Sequence, residues 1–428
     1  MNTETLDQPI VADVAVSAPA VVIESAAPAV AAVAEGPNPF IALGLDGALV
    51  RAVSDLGYTQ PTEVQAKVIP LAMGSGKADE ASIDLMVSSQ TGSGKTAAFL
   101  LPVLNTLIAQ KAIEAAAEQA EFERQRAQAA ASGEAAPKRA KRKNPMQSRN
   151  FKAAVPGALV LCPTRELAQQ VAQDAIELVK HCKNLRVANV VGGMPYQLQI
   201  AKLQNADLVV ATPGRLLDLQ RSLQIKLDKV QFLVVDEADR MLDLGFADDL
   251  EEVHQMTAQR KQTMMFSATF APRIQQLAMR VMHDGGANVQ KITIATPQQG
   301  HDNIQQKLYW ADHAQHKRKL LDHWLRDTTI NQAIVFASTQ VECDGLAQDL
   351  AEAGFSAAAL HGALSQGLRN RRLRALREGQ IQILVATDVA ARGIDVPTIT
   401  HVFNYGLPMK AEDYTHRIGR TGRAGREG

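Results

Sequence analysis

The nine residues from Ser88 to Thr96, SSQTGSGKT, decide how the chain is read. An apolar stretch, Asp84-Leu85-Met86-Val87, precedes them, and a helix-like one, Ala97-Ala98-Phe99-Leu100-Leu101, follows. A strand, a glycine-rich loop and a helix in that order make a phosphate cradle. Successive backbone N–H groups point at the anion, and the helix N-terminus adds positive potential. Here Ser89, Gln90, Thr91, Gly92, Ser93 and Gly94 form the loop. Lys95 reaches the β- and γ-phosphates of a nucleotide, and the Thr96 hydroxyl binds Mg²⁺. Ser89 stands where the strict pattern has glycine. A similar run, Gly74-Ser75-Gly76-Lys77, is followed by Ala78 and has no strand leading into it, so it is expected to be a plain loop.

The chain has 428 residues, too many for one ordinary core, and two domains with appendages follow. Apolar residues make up 46%, which suits a globular protein. No uninterrupted apolar run reaches the roughly 18 residues of a membrane span. No Lys or Arg precedes Arg51, so the basic start of a secretory leader is missing. Cys162, Cys182 and Cys343 are widely spaced and suggest neither a metal set nor a disulfide framework. A reducing cytoplasm fits. Residues 1–50 carry six acids and no base, whereas 361–428 carry eleven Lys/Arg against six Asp/Glu. That basic end points to an anionic partner.

Residues 1–38 are rich in Ala, Val, Pro and acids without periodicity, and are expected to be disordered. Beyond them, short apolar runs at 83–88, 158–162, 186–191, 207–211, 231–235 and 263–267 alternate with helix-like segments. After a polar stretch at 296–303 the alternation resumes at 304–310, 333–337, 356–360, 381–386 and 400–404. This predicts two α/β domains, 39–295 and 304–428, each a parallel sheet flanked by helices. An insertion at about 109–156 interrupts the first. It begins with a helix-prone Ala/Glu/Gln segment, 109–137, and ends with six basic residues and no acid between 137 and 149. That end reads as a solvated appendage or as an auxiliary nucleic-acid contact.

The acid that matches the phosphate loop lies after Phe232-Leu233-Val234-Val235, as Asp236-Glu237-Ala238-Asp239. Ligands gather at the C-terminal edge of parallel strands, where one carboxylate can share a metal and the next can orient a water.

At this point the chain resembles the DEAD-box RNA helicases, superfamily-2 ATPases, over residues 40–426. In family order the matching stretches are Phe40, Gly57 to Gln65, Gln90 to Thr96, Pro163-Thr164-Arg165-Glu166-Leu167-Ala168, Gly192-Gly193, Thr212-Pro213-Gly214-Arg215, Asp236 to Asp239 and Ser267-Ala268-Thr269. They continue with Gln366 to Arg369, Ala386-Thr387-Asp388, Ala391 to Asp395 and His416 to Arg423. The resemblance implies two RecA-like domains with ATP between them and RNA lying across both. It assigns Phe40 to stacking on adenine and Gln65 to the base's edge, Thr96 and Asp236 to Mg²⁺, and Glu237 to the attacking water. Phe40 alone would otherwise read as a core anchor. Arg420 and Arg423 match the arginine fingers, and Gly393 and Asp395 the ribose and γ-phosphate side. Asp239, Ser267, Thr269, His416 and Arg417 fall in the motifs that couple closure to strand separation. Pro163, Thr164, Arg165, Gly192, Gly193, Thr212, Pro213, Gly214, Arg215, Gln366, Arg369 and Thr387 fall in those that contact the RNA backbone. The implied partner is RNA, without sequence-specific readout. Ribonucleoprotein, RNA-decay or ribosome-assembly partners, a monomeric core and no membrane are expected. An RNA clamp with the same ATPase is equally compatible with the motifs, whereas Gln65 and the 236–239 tetrapeptide speak against a DNA helicase. The chain departs from the family around 73–82, at 109–156, and at Gly428, where members continue with a strand and a helix. Either the sequence is part of a longer chain or its second sheet lacks an edge element.

Overall fold

A computed structural model describes residues 38–74, 83–89, 93–132, 152–268, 270–294, 303–391, 394, 396, 398–408, 411–422 and 427–428. The readings of the tail up to 37, of 75–77, of the basic run at 138–143 and of 296–302 fall outside them.

Seven parallel strands form the first sheet: β1 Leu85–Ser88, β2 Ala158–Leu161, β3 Val187–Val190, β4 Leu208–Ala211, β5 Phe232–Val235, β6 Gln262–Ser267 and β7 Gln290–Thr293, in the order β3-β4-β2-β5-β6-β1-β7. Four parallel strands form the second: β8 Ala333–Phe336, β9 Ala357–Leu360, β10 Ile383–Ala386 and β11 His401–Phe403, in the order β11-β8-β10-β9. The apolar runs are continuous because both sheet faces are covered. Leu85 and Val87 enter one core, while Met86 enters the core on the opposite face. In the second sheet Val335 and Val385 point to one core, and Ile334 and Leu384 to the other.

Parallel pairing brings the C-terminal ends of neighbouring strands to one edge. Val87 lies opposite Phe266, and Leu161 opposite Val235. The loops that follow β1, β6, β5 and β2 therefore open side by side.

The structure corrects the sequence reading at two strands. β7 was not expected: it is an edge strand in which only Ile292 is buried, so it offers no apolar run. The run at 304–310 was expected to be a strand and is not one. Gln305 N–H donates to Gly428 O, and Gly428 N–H to Asn303 O. No further ladder partner lies among the described residues, and Leu308 and Trp310 are 81% and 84% exposed.

The helix after the phosphate loop, Lys95–Ser132, runs straight into the predicted helical insertion. By length and hydropathy it could cross a membrane, but half of that window is buried, with Phe99, Leu101 and Leu104 in the core.

Candidate functional site

The phosphate loop is held from behind. Thr62 caps the helix Glu63–Met73, and its backbone N–H donates to Gln65 Oε1 at 3.0 Å. Gln65 Nε2 then donates to Gly94 O at 3.1 Å. Gly94 has φ +90°, and a Cβ there would fall 2.6 Å from Gln65 Nε2 and 2.8 Å from Thr62 Oγ1. Only glycine fits that close approach. Lys95 is buried and donates from Nζ to Ser89 O at 3.2 Å, while Ser93 Oγ donates to Ser89 Oγ at 3.2 Å. Thr96 is half-buried beside it. Ser89 N–H donates to Ser267 O at 3.1 Å, fastening the loop to the end of β6.

Asp236 follows β5 and is 3% exposed. Burial is the main force on its carboxyl and pushes its pKa up to about 7, against the pull of the Lys95 charge; Glu237 and Asp239 add to the rise. Glu237 stands in the left-handed region, φ 50° and ψ 56°, at the start of the helix Ala238–Asp243. Such a conformation costs a non-glycine residue about 1–3 kcal/mol and persists only where the surroundings enforce it. The Ser267 hydroxyl, at the end of β6, is buried and has no hydrogen-bond partner among the described residues.

Four residues join the two sheets. Arg165 Nη1 donates to Gln366 Oε1 at 3.4 Å, Gln366 Nε2 to Glu166 Oε1 at 3.2 Å, and Arg369 Nε to the same oxygen at 2.7 Å. Glu166, Gln366 and Arg369 are all buried. Gly193 makes room for this packing, since a Cβ there would meet Arg165 Nη1 at 2.7 Å. A second crossing is looser: His416 Nε2 lies 4.0 Å from Asp239 Oδ2. Burial holds the His416 pKa below its ordinary value, although Asp239 and Glu237 pull it back up.

The family model for DEAD/DEAH box helicases matches residues 62–277, and that for the helicase conserved C-terminal domain matches 315–425. Over 391 residues the chain is 39% identical to the ATP-dependent RNA helicase SrmB of Escherichia coli, covering 91% of this chain and 77% of that protein. The chain belongs to the DEAD-box helicase family. These are ATP-dependent RNA helicases, and they hydrolyse ATP. The DEAD-box chain is also 36% identical to RhlB of Pseudomonas syringae, covering 92% of this chain and 88% of that one. With DeaD of Mycobacterium tuberculosis it shares 38% identity over 90% of its own length but spans only 58% of the relative. Among solved structures it is similar to S. cerevisiae Dbp5 bound to RNA and ADP BeF3, at 31% identity, covering 91% and 87% of the two chains with a TM-score of 0.72. It is similar also to Mss116p bound to ssRNA and AMP-PNP, at 26% identity, 91% and 72% coverage and a TM-score of 0.72.

Several DEAD-box motif residues sit differently from expectation. Phe40 is 0% exposed and packs in the first core, so its ring is an anchor here and offers no face to a base. Arg369, expected on RNA, has its charge met by Glu166. Arg417, expected to couple the domains, is bidentate to Asp388 at 2.6 and 2.7 Å and lies over the Phe336 ring. It braces its own domain and the helix Ala411–Ile418 that leads to Arg420. Arg420 donates to His416 O and Ile394 O, each at 3.0 Å. Arg215 Nη1 donates to Met194 O beside Gly192 and Gly193, and so ties two RNA motifs together. Pro163 and Thr212 are buried, Gly214 is exposed and Thr387 is half-buried. Thr164 caps the helix Arg165–Leu178, and Pro213 opens the helix Pro213–Arg221. Gln90, Thr91, Gly92, Thr269, Gly393, Asp395 and Arg423 lie outside the described residues. Glu166 lies in the matching stretch 163–168, but nothing near it in sequence points to its partners Gln366 and Arg369, 200 and 203 positions away.

Proposed function

We propose that the chain closes two domains, 39–295 and 304–428 joined through 296–303, around ATP and an RNA backbone, and that closure couples hydrolysis to local separation of RNA strands. The observation that carries this reading is the bridge from Arg165 and Glu166 to Gln366 and Arg369, of which Glu166, Gln366 and Arg369 are buried. It ties the two sheets together at the ends of β2 and β9. Because the ligand-holding groups are divided between the domains, ATP and RNA that span the cleft would each favour closure and so assist one another.

Lys95 and the backbone of 89–94 hold the phosphates. Gln65 meets the adenine edge, Gly393 and Asp395 the ribose side, and Glu237 orients the attacking water. Arg420 and Arg423 meet the charge that develops on the transferred phosphoryl, an effect worth about 10³–10⁵ in rate. Thr96 and Asp236 fit Mg²⁺: among the described residues there is no cluster of three His, Cys, Asp or Glu that could hold a metal, and Mg²⁺ keeps several waters and substrate oxygens instead. The buried Asp236 carboxylate is costly even with the Lys95 charge beside it, and a further cation would lower that cost. When bound, the ion neutralises charge shared between the β- and γ-phosphates. Arg165, Gly192, Gly193, Thr212, Arg215 and Thr387 face the sugar-phosphate chain, with RNA told from DNA through the 2′-hydroxyl. The setting is the cytoplasm, and the partners are ribonucleoprotein, RNA-decay or ribosome-assembly complexes.

The test is steady-state ATP hydrolysis with no nucleic acid, with RNA and with DNA, alongside displacement of a short RNA duplex. RNA-selective stimulation with ATP-dependent displacement is expected. Stimulation without displacement would leave a clamp, and equal stimulation by DNA would overturn the RNA reading.

A further inference from the structure

The helix Gln366–Arg377 holds five arginines and no acid. No Asp or Glu occurs anywhere between Glu352 and Glu378. Two of its charged side chains are engaged: Arg369 with Glu166, and Arg372 with the Ala359 carbonyl. The other three, Arg371, Arg374 and Arg377, are exposed and have no ion pair among the described residues. Several surface arginines of the first domain are neutralised, though the exposed Arg51, Arg126 and Arg186 meet no carboxylate among the described residues. Arg221, Arg273 and Arg280 each meet a carboxylate at 2.7–2.8 Å. Arg374 and Arg377 lie in the last helical turn, where the helix dipole favours cations. The dipole does not explain Arg371, nor the lack of any acid in the first turn.

The first turn of the helix, with Gln366 and Arg369, lies in the bridge between the domains, and the three exposed arginines follow it along the chain. From Arg371 to Arg377 the helix rises by six steps, about 9 Å, the length of two or three nucleotides along one strand of a duplex. We infer that these three arginines form a phosphate track that takes the RNA flanking the segment held in the cleft. The inference rests on the RNA reading above and extends it to a surface beyond the motifs. Single-stranded or duplex RNA leaving the cleft supplies the matching charge, and the guanidinium fork suits phosphate oxygens.

The experiment uses the full chain carrying R371Q/R374Q/R377Q, with R371K/R374K/R377K as a charge-keeping control. RNA affinity is measured against salt for an oligonucleotide that only fills the cleft and for a longer one. For the longer RNA, the log–log salt slope of the glutamine variant should be shallower by about 2, at roughly 0.7 per lost contact. Between roughly 50 and 200 mM salt, the wild type should then lose about 20-fold more affinity than the variant. The short RNA should bind both alike, and the lysine variant should keep most of the slope. Equal slopes for wild type and glutamine variant, with unchanged thermal midpoints, would make this a solvated face and end the proposal. Unchanged RNA binding with lost binding of a poly-glutamate peptide would assign the surface to an acidic protein and also end it. If the wild type bound no RNA of either length, the RNA reading itself would fail and take the track with it.

Discussion

At the start of β1, Asp84 is 5% exposed; at the end of β5, Asp236 is 3% exposed. Both are carboxylates at strand ends of one sheet, but their surroundings are opposite. Asp84 accepts from Thr263 N–H at 2.6 Å, from His283 N–H at 2.8 Å and from the His283 ring at 3.0 Å. Next to it the buried Arg260 donates to Thr263 Oγ1 at 2.6 Å, Val281 O at 2.8 Å and Thr257 O at 3.2 Å. Among the described residues Asp236 accepts just the N–H of Glu237, at 2.9 Å, with burial and the like charges of Glu237 and Asp239 against it and the Lys95 charge pulling the other way. Glu237 is strained, and among the same residues the Ser267 hydroxyl lacks a partner. One edge closes its polar groups within the protein, which stabilises. The other leaves them open, as the proposed nucleotide site requires.

The contrast can be broken by mutation at either edge. The largest effects should come from the binding edge. Lys95→Ala should lower the single-turnover ATPase rate at least 10³-fold with the thermal midpoint little changed, whereas Lys77→Ala should stay near wild type. Arg420→Ala should cut the rate by a similar factor while ATP affinity holds, and lysine should rescue it poorly. Loss of ATP affinity in proportion to rate would make Arg420 a ground-state contact instead.

At the other edge, Asp84→Ala strands Thr263 N–H and His283 and should destabilise the fold by about 3 kcal/mol in denaturant unfolding, with kcat nearly intact. A comparable loss of kcat in the folded variant would erase the distinction between the edges. Glu166→Gln, at the bridge, should weaken the mutual assistance of ATP and RNA by about 1–2 kcal/mol, seen as raised RNA dissociation constants only when nucleotide is present. The smallest effect concerns acid. Burial, followed by the Arg260 charge, holds His254 below its ordinary pKa, with His283 opposing and Glu251 favouring protonation. A histidine kept neutral by the fold adds stability above its unfolded pKa of about 6.5 and loses it progressively as pH falls below that value. His254→Gln should flatten the fall of the thermal midpoint below that pH.

Most of the fold was legible because strands buried on both faces read as unbroken apolar runs. β7 was not, since an edge strand with one buried side chain leaves no such run. The segment 304–310 was over-read, because alternation marks a strand only where a neighbour supplies the ladder. At the site, the phosphate loop and Asp236 were legible from local order alone. Glu166 with Arg369 was not, because the two are 203 positions apart and meet only when the sheets do. The burial of Phe40 and the backbone strain at Glu237 are likewise products of the folded surroundings.

The helix that begins at Lys95 continues to Ser132, 38 residues in all, or about 57 Å from end to end. Its base is packed in the domain core beside the glycine-rich loop, and most of its outer half stands in solvent. A long helix held at one end multiplies rotation. Tilting its base by about 5° would swing the far tip by about 5 Å. The helix is therefore a pointer mounted on the nucleotide pocket, and a fluorophore at its tip would register there, enlarged, movements too small to measure at the pocket itself.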